Sequence, residues 1–273
     1  MQAIDTALVC KVLEPIWQTK TETANRVRGR IEVILDWAKA RGLRQGDNPA
    51  RWRGHLQFEF PAKSKVNPVR HHAALPYAEL PDFMAKLREQ EGAGARALEF
   101  AILTAARTEE VICATLGEIN SAAKVWTVAA ERMKAGKEHR KPLSSRALSI
   151  VRDAADRETN DDAFIFSGGK KGKPLSNMAM TAVLRRMGYG HVTVHGFRST
   201  FRDWAAERAN FPNEVIEMAL AHAVGDKVEA AYRRGDLFEK RRRLMAAWET
   251  YCNIPKSATG PTVIPMRATG KVS

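Results

Sequence analysis

Between Thr23 and about Leu43 the apolar residues Val27, Ile31, Ile34, Leu35 and Ala38 recur three and four positions apart, widened by Val33 and Trp37. That period predicts an amphipathic helix, with Arg26, Arg28 and Arg30 on its other faces. Ala7 to Trp17 predicts a shorter helix closed by Pro15, and Gly42 with the Gly46-Asp47-Asn48-Pro49 cluster stops the longer one. Residues 1–60 therefore read as a small helical unit. The stretch 61–76, PAKSKVNPVRHHAALP, carries three prolines and the basic residues Lys63, Lys65 and Arg70 beside His71 and His72, which is the composition of an interdomain linker.

A larger unit is predicted over 77–253. Ala97 to Thr104 and Glu109 to Leu116 have helical spacing, and Thr108 is placed to cap the second, with Glu109 and Glu110 in its first turn. Short alternating segments follow at Val125 to Val128, Glu131 to Met133 and Arg140 to Leu143, with Ala135-Gly136 as turn material, and they predict a small antiparallel sheet. Ala163 to Phe166 adds a possible edge piece before the loop SGGKKGKP, residues 167–174. Helices are predicted again at about 175–187, 197–209, 213–221, 225–234 and 236–252, and the proline- and glycine-bearing residues 254–273 read as a flexible tail. The fold class is mainly α (α+β).

Composition narrows the function classes. The hydrophobic share of 44% and charged share of 27% are those of a globular protein, and no apolar run approaches a membrane span of about 20 residues. The first residues have neither a basic leader nor a cleavage site, so the expected location is the cytoplasm. Cys10, Cys113 and Cys252 stand singly, against both a disulfide framework and a zinc site. The net charge of +13 points to a polyanionic partner, nucleic acid first among them.

The second unit holds Arg107, Lys134, His195, Arg198, His222 and Tyr232, each of which has an ordinary surface or packing explanation when taken singly. Their order changes that reading. TAARTEEV, RMKAGKEHRKPL, HGFRSTFRDWAAE and LAHAVGDKVEAAYRRGD follow one another at spacings that together resemble the tyrosine recombinases, in particular the phage and genomic-island integrases. The resemblance spans Ile4 to Tyr251, and its most specific part is the box His195-Gly196-Phe197-Arg198, then Leu220-Ala221-His222, then Ala231-Tyr232. It implies that Arg107 and Arg198 bind the scissile phosphate and that Tyr232 is the nucleophile. Lys134 matches the family's hairpin lysine, His195 and His222 its two further phosphate-site positions, and Glu110 its supporting acid.

The residue types suit the reaction. A phosphodiester gains charge as it passes through five-coordinate phosphorus, and a planar, permanently charged guanidinium meets two phosphate oxygens at once. The tyrosine hydroxyl must lose a proton to attack, for which His195 is the candidate, shared with His222. The leaving 5′ hydroxyl must gain one, for which Lys134 is the candidate. A 3′-phosphotyrosyl product keeps the energy of the broken bond, so the expected cofactors are none: neither ATP nor metal. SGGKKGKP is no Walker motif, and His191 and His195 in HVTVH sit on a predicted extended segment where four-residue spacing does not chelate. Of the four tyrosines, Tyr77, Tyr189, Tyr232 and Tyr251, Tyr232 alone lies ten residues after a histidine with two arginines beside it.

The resemblance further implies double-stranded DNA as partner, with self-association into a tetramer on paired sites. Arg26, Arg28, Arg30, Lys63, Lys65 and Arg70 are candidate DNA contacts. Only about 60 residues precede the linker, so an arm-binding domain and part of the core-binding domain are expected to be missing. This leaves open a non-catalytic DNA-binding remnant that occupies an attachment site. A type IB topoisomerase shares the tyrosine chemistry, but RMKAGKEHRKPL and the surroundings of Tyr232 look closer to integrases.

Overall fold

The computed structural model describes residues 1–66, 73–156, 160–170, 172–222 and 235–254. The chain divides into two compact units, Met1–His71 and His72–Ser273.

In the first unit, α1 (Thr6–Trp17) starts where the Asp5 carboxylate accepts the Leu8 N–H at 2.9 Å, and it buries Val9, Leu13 and Trp17. Trp17 organises this small core: its ring stacks on Trp52 and tilts against Phe60, and its indole N–H donates to the Pro61 carbonyl at 3.0 Å. Pro15 lies inside α1 rather than closing it, because the packed Trp17 holds the last turn in place beyond the missing N–H. The longer helix, α2 (Thr21–Ala40), buries Ala24, Leu35 and Ala38, but Val33, Ile34 and Trp37 are each more than half exposed. The predicted apolar stripe is thus wider than the face that α1 and the following segment cover. A four-residue helix, α3 (Lys63–Val66), occupies the start of the expected linker, and residues 67–72, including Arg70, lie outside the described residues.

The second unit is built around α5 (Ala93–Thr104), whose residues from Ala97 to Thr104 are all buried. A helix apolar on every side must be surrounded. Its neighbours are α4 (Leu80–Arg88), α7 (Ser145–Ala155), α8 (Ala179–Arg186), α9 (Gly196–Arg208) and α11 (Phe238–Cys252). The α11 helix is pinned by the buried Trp248, whose N–H donates to the Ile102 carbonyl at 2.8 Å. One acid is tolerated in α5: Glu99 is fully buried and accepts from Arg88, Arg96 and Arg146 at 2.8–3.0 Å. Burial would raise its pKa, but those guanidiniums outweigh that effect and lower it.

The sheet is a three-stranded antiparallel meander, β1 (Ile119–Asn120), β2 (Val125–Val128) and β3 (His139–Pro142), with Trp126 opposite Lys141 and Val128 opposite His139. Several expectations are corrected. Glu131 to Met133 form no strand; Ala130–Arg132 is a 3₁₀ turn tied down by Arg132, which binds the Glu118 carboxylate and the Glu110 carbonyl. The helix expected at Glu109 to Leu116 is α6 (Thr108–Ile112), because the chain leaves it to bridge Thr115 to Phe164, so the expected edge piece pairs there and not with the sheet. Arg107, not Thr108, is the residue before its first turn. HVTVH is a run of turns, since Thr193 donates to the Ala73 carbonyl through its N–H at 3.0 Å and so diverts the segment from any ladder. The helix expected over 225–234 lies outside the described residues, and α4 and α7 went unforeseen.

Candidate active site

Two helix ends build the site. The α5 helix ends on Ala105 in the left-handed conformation (φ 48°), with the Ala106 N–H returning to the Ala101 carbonyl. The α10 helix (Asn213–Ala219) ends in the same way: Ala221 has φ 51°, the His222 N–H donates to the Glu217 carbonyl at 2.9 Å, and the Ala221 N–H donates to the Met218 carbonyl at 3.1 Å. These are Schellman closures made by alanine where glycine is usual, at a cost of about 1 kcal/mol each. Each turns the chain back on itself and leaves carbonyls pointing outward at the negative end of a helix.

The two arginines occupy those carbonyls. Arg198, buried on α9, donates from Nη1 to the Ala105 carbonyl and from Nη2 to the Leu220 carbonyl at 2.6 Å, so it joins both helix ends. Arg107 donates from Nη2 to the Ala221 carbonyl at 3.2 Å. The guanidiniums are close enough that Arg107, after burial itself, is the main charge pushing the Arg198 pKa down to about 10. His222 completes the group with its Nε2 at 3.1 Å from Arg198 Nη2.

Behind Arg107 stands a buried acid. Glu110, 3% exposed, accepts from Arg107 Nη1 at 2.8 Å and from the Arg107 backbone N–H at 3.2 Å. Its other neighbour is Lys141 Nζ on β3, at 3.2 Å but at an angle too poor for a hydrogen bond. Burial works to raise the Glu110 pKa, yet Lys141 and Arg107 together hold it down to about 2. Burial pushes Lys141 down to about 8, against the pull of Glu110. His139, two residues along the strand, is pushed to about 3 by burial and by repulsion from Lys141 and Arg241, so it is neutral at physiological pH.

Among the expected site residues, Arg107 bonds Glu110 and Arg198 bonds His222, and the two pairs meet at the adjacent carbonyls of Leu220 and Ala221. His195 is exposed at the start of α9, three positions before Arg198 and so on the same side of the helix. The glycine between them is required by packing: a Cβ on Gly196 would lie 2.2 Å from the Ala73 carbonyl oxygen. Lys134 is exposed in the β2–β3 connection. Tyr232 lies outside the described residues, between His222 and Gly235. Sequence reasoning missed Lys141 and Glu217. Lys141 sits in a basic run that reads as solvated, whereas Glu217 was detectable as the acid five residues before His222, the spacing a Schellman turn brings together.

Of the candidate DNA contacts, Arg26 and Lys63 both pair with Glu22, and Arg28 pairs with Glu32 at 2.6 Å and donates to the Ala50 carbonyl at 2.8 Å. Arg30 and Lys65 are exposed. No group of three or more potential metal ligands occurs among the described residues, and no described helix is long and apolar enough to cross a membrane.

The phage integrase family matches residues 74–236, and the phage integrase central domain matches residues 1–55. The chain is 32% identical over 259 residues to prophage integrase IntA of Escherichia coli (strain K12), a match covering 93% of this chain and 60% of that protein. It spans about 60% of the length of the curated relatives it matches. Its fold resembles a lambda integrase dimer bound to a COC′ core site (TM-score 0.58, 16% identity, 83% of each chain). It also resembles a lambda integrase tetramer bound to a Holliday junction (TM-score 0.58, 17% identity, 84% of this chain and 68% of that one). With the family matching more than half of its length, the chain belongs to the phage integrase family of tyrosine recombinases.

Proposed function

We propose that this chain cuts and rejoins DNA strands at a specific site through a 3′-phosphotyrosyl bond to Tyr232, in the integration or excision of a mobile element. The observation that carries this is the convergence of the Arg107 and Arg198 guanidiniums and the His222 ring on the C-terminal end of α10, ten residues before Tyr232. Guanidiniums fixed on carbonyls before the substrate arrives cost no reorganisation when the phosphorane forms, which is where preorganised charge is most effective. Arg198 is thereby held in place through both terminal nitrogens, with its charge kept close to the end of α10.

In the proposed reaction the Tyr232 oxygen attacks phosphorus and the 5′ oxygen leaves. His195, with His222, assists removal of the phenolic proton, and Lys134 protonates the leaving oxygen. A second strand's 5′ hydroxyl then reverses these steps. Bond energy is conserved in the tyrosyl ester, so the balance requires neither ATP nor metal. The units take the roles of a core-DNA-binding domain (1–60), a basic linker (61–76), the catalytic domain (77–253) and a C-terminal tail (254–273). Arg30 and Lys65, exposed and cationic, are the best placed of the candidates to meet phosphates of double-stranded DNA. The solved lambda integrase tetramer on a Holliday junction supports a tetramer on paired sites as the working assembly, and DNA in the cytoplasm is the proposed substrate.

The test is covalent capture from a random-sequence pool of nicked duplexes. The native chain should yield a protein–DNA adduct stable to denaturant, and Tyr232→Phe should yield none while still retarding the same DNA. An adduct undiminished in the variant would overturn the assignment.

A further inference from the structure

We propose that Glu217 is a positioning residue for this site: it locks the His222 ring into one tautomer and one orientation, with Nε2 turned toward the phosphate arginines. The inference rests on the strand-transfer reading above and adds to it a residue outside the set that reading uses.

The argument needs only donor and acceptor counting. Glu217 Oε2 is 2.6 Å from His222 Nδ1, and His222 Nε2 is 3.1 Å from Arg198 Nη2. A guanidinium has no acceptor, so in that bond Nε2 must supply the lone pair. An ionised carboxylate has no donor, so Nδ1 must carry the hydrogen. Hydrogen bonds from Arg202 and His222, working against burial, lower the Glu217 pKa and keep the carboxylate ionised. The ring is thereby fixed at both nitrogens. The backbone sets the same geometry, since the left-handed Ala221 folds His222 back over the helix end so that residues five apart meet side chain to side chain as well as through the backbone.

Among the described residues, the charged groups facing this ring are Glu217 on α10, Arg198 on α9, and Arg202 behind Glu217, where its Nε donates to Oε1 at 2.7 Å. Arg202 ties down the second carboxylate oxygen and leaves the first for His222. When a phosphodiester oxygen takes the Arg198 N–H, the Nε2 lone pair is released. Nε2 is then open to accept the phenolic proton as Tyr232 attacks, and the imidazolium so formed donates to the phosphate oxygen while the Glu217 charge offsets it. Holding the ring by Nδ1 through a carboxylate is what leaves Nε2 free to change from acceptor to donor without the ring turning.

Two measurements decide it. The first is ¹⁵N NMR of the full chain labelled at histidine, without DNA and at a pH where the ring is neutral, with the His222 signals assigned by loss in His222→Phe. The expected result is a protonated Nδ1 and a bare Nε2, with the preference lost in Glu217→Ala and kept in Arg202→Ala. A native chain whose His222 carries its proton on Nε2 ends the proposal, whether or not any variant folds. The second is the rate of adduct formation on the nicked pool in a double-mutant cycle. Glu217→Ala should slow it on the order of ten-fold or more, and Glu217→Ala/His222→Phe should be no slower than His222→Phe alone. Additive losses would mean Glu217 acts by another route and would overturn the inference. If the native chain forms no adduct at all, the strand-transfer reading fails, while the tautomer measurement still judges the Glu217–His222 pair on its own.

Discussion

Replacing Glu110 by glutamine removes a single charge from the most buried part of the site, and its cost can be worked out. The carboxyl titrates near 2 in the folded chain against an ordinary 4.5. That difference corresponds to about 3 kcal/mol of stability from the ionised group. The group is almost fully buried, so solvent screening does not discount the figure. Glutamine keeps the shape but leaves Lys141, itself 3.2 Å from Glu110 and just as buried, without a counter-charge. Stranding one partner of a buried pair costs about 3 to 5 kcal/mol, which agrees in size with the titration argument.

The pH dependence has a definite sign. A carboxyl whose folded pKa is depressed contributes fully above the unfolded value, and that contribution is lost as pH falls toward the folded one. The stability gap between native chain and Glu110→Gln should therefore be about 3 kcal/mol at pH 7 and shrink between about pH 4.5 and 2. Lys141 works in the opposite window. Its folded pKa is lowered from 10.5 to about 8, so its burial cost is relieved, and stability rises, as pH climbs from about 8 to 10.5. Urea titration, following the transition of the unit that holds Trp126, Trp204 and Trp248, measures the gap. A gap below about 1 kcal/mol at pH 7, or one that persists unchanged to pH 2, would refute the reasoning.

Further predictions concern the arginine clamp and the glycine beside it. Arg198→Lys keeps a positive charge but cannot reach the Ala105 and Leu220 carbonyls and His222 together, so adduct formation should fall about a hundred-fold or more, with duplex binding little changed; equal rates would show that a point charge suffices. Gly196→Ala drives a methyl into the Ala73 carbonyl, so stability should drop by about 1 to 3 kcal/mol, read as a lowered Tm. An unchanged Tm would mean that the 73–74 segment yields freely.

The helical periods, the β2 segment and the apolar character of α5 were legible in the chain because they depend on local spacing, which burial then rewards. The errors fall where tertiary contacts overrode local preference. Glu131 to Met133 alternate like a strand, but Arg132 is drawn toward Glu118 and the Glu110 carbonyl, and the segment turns. Val192 and Val194 favour extension, but the Ala73 carbonyl captures Thr193. Val33, Ile34 and Trp37 belong to the apolar stripe of α2 by spacing, yet spacing cannot say how much of a stripe a neighbour covers.

For the candidate site, the resemblance carried by the motifs singled out Arg107, Glu110, Arg198 and His222, and the fold brings these four together around the ends of α5 and α10. What the chain could not disclose is which carbonyl, carboxylate or lone pair each would meet. Lys141 looks like one more solvated cation in HRKPL until β3 turns it inward onto Glu110, and Glu217 looks like an ordinary helix acid until Ala221 folds His222 back upon it. Residue identity determines the donors and acceptors on offer; only the folded backbone, by closing distances across a hundred residues of chain, decides which of them are spent on each other and which remain for a substrate.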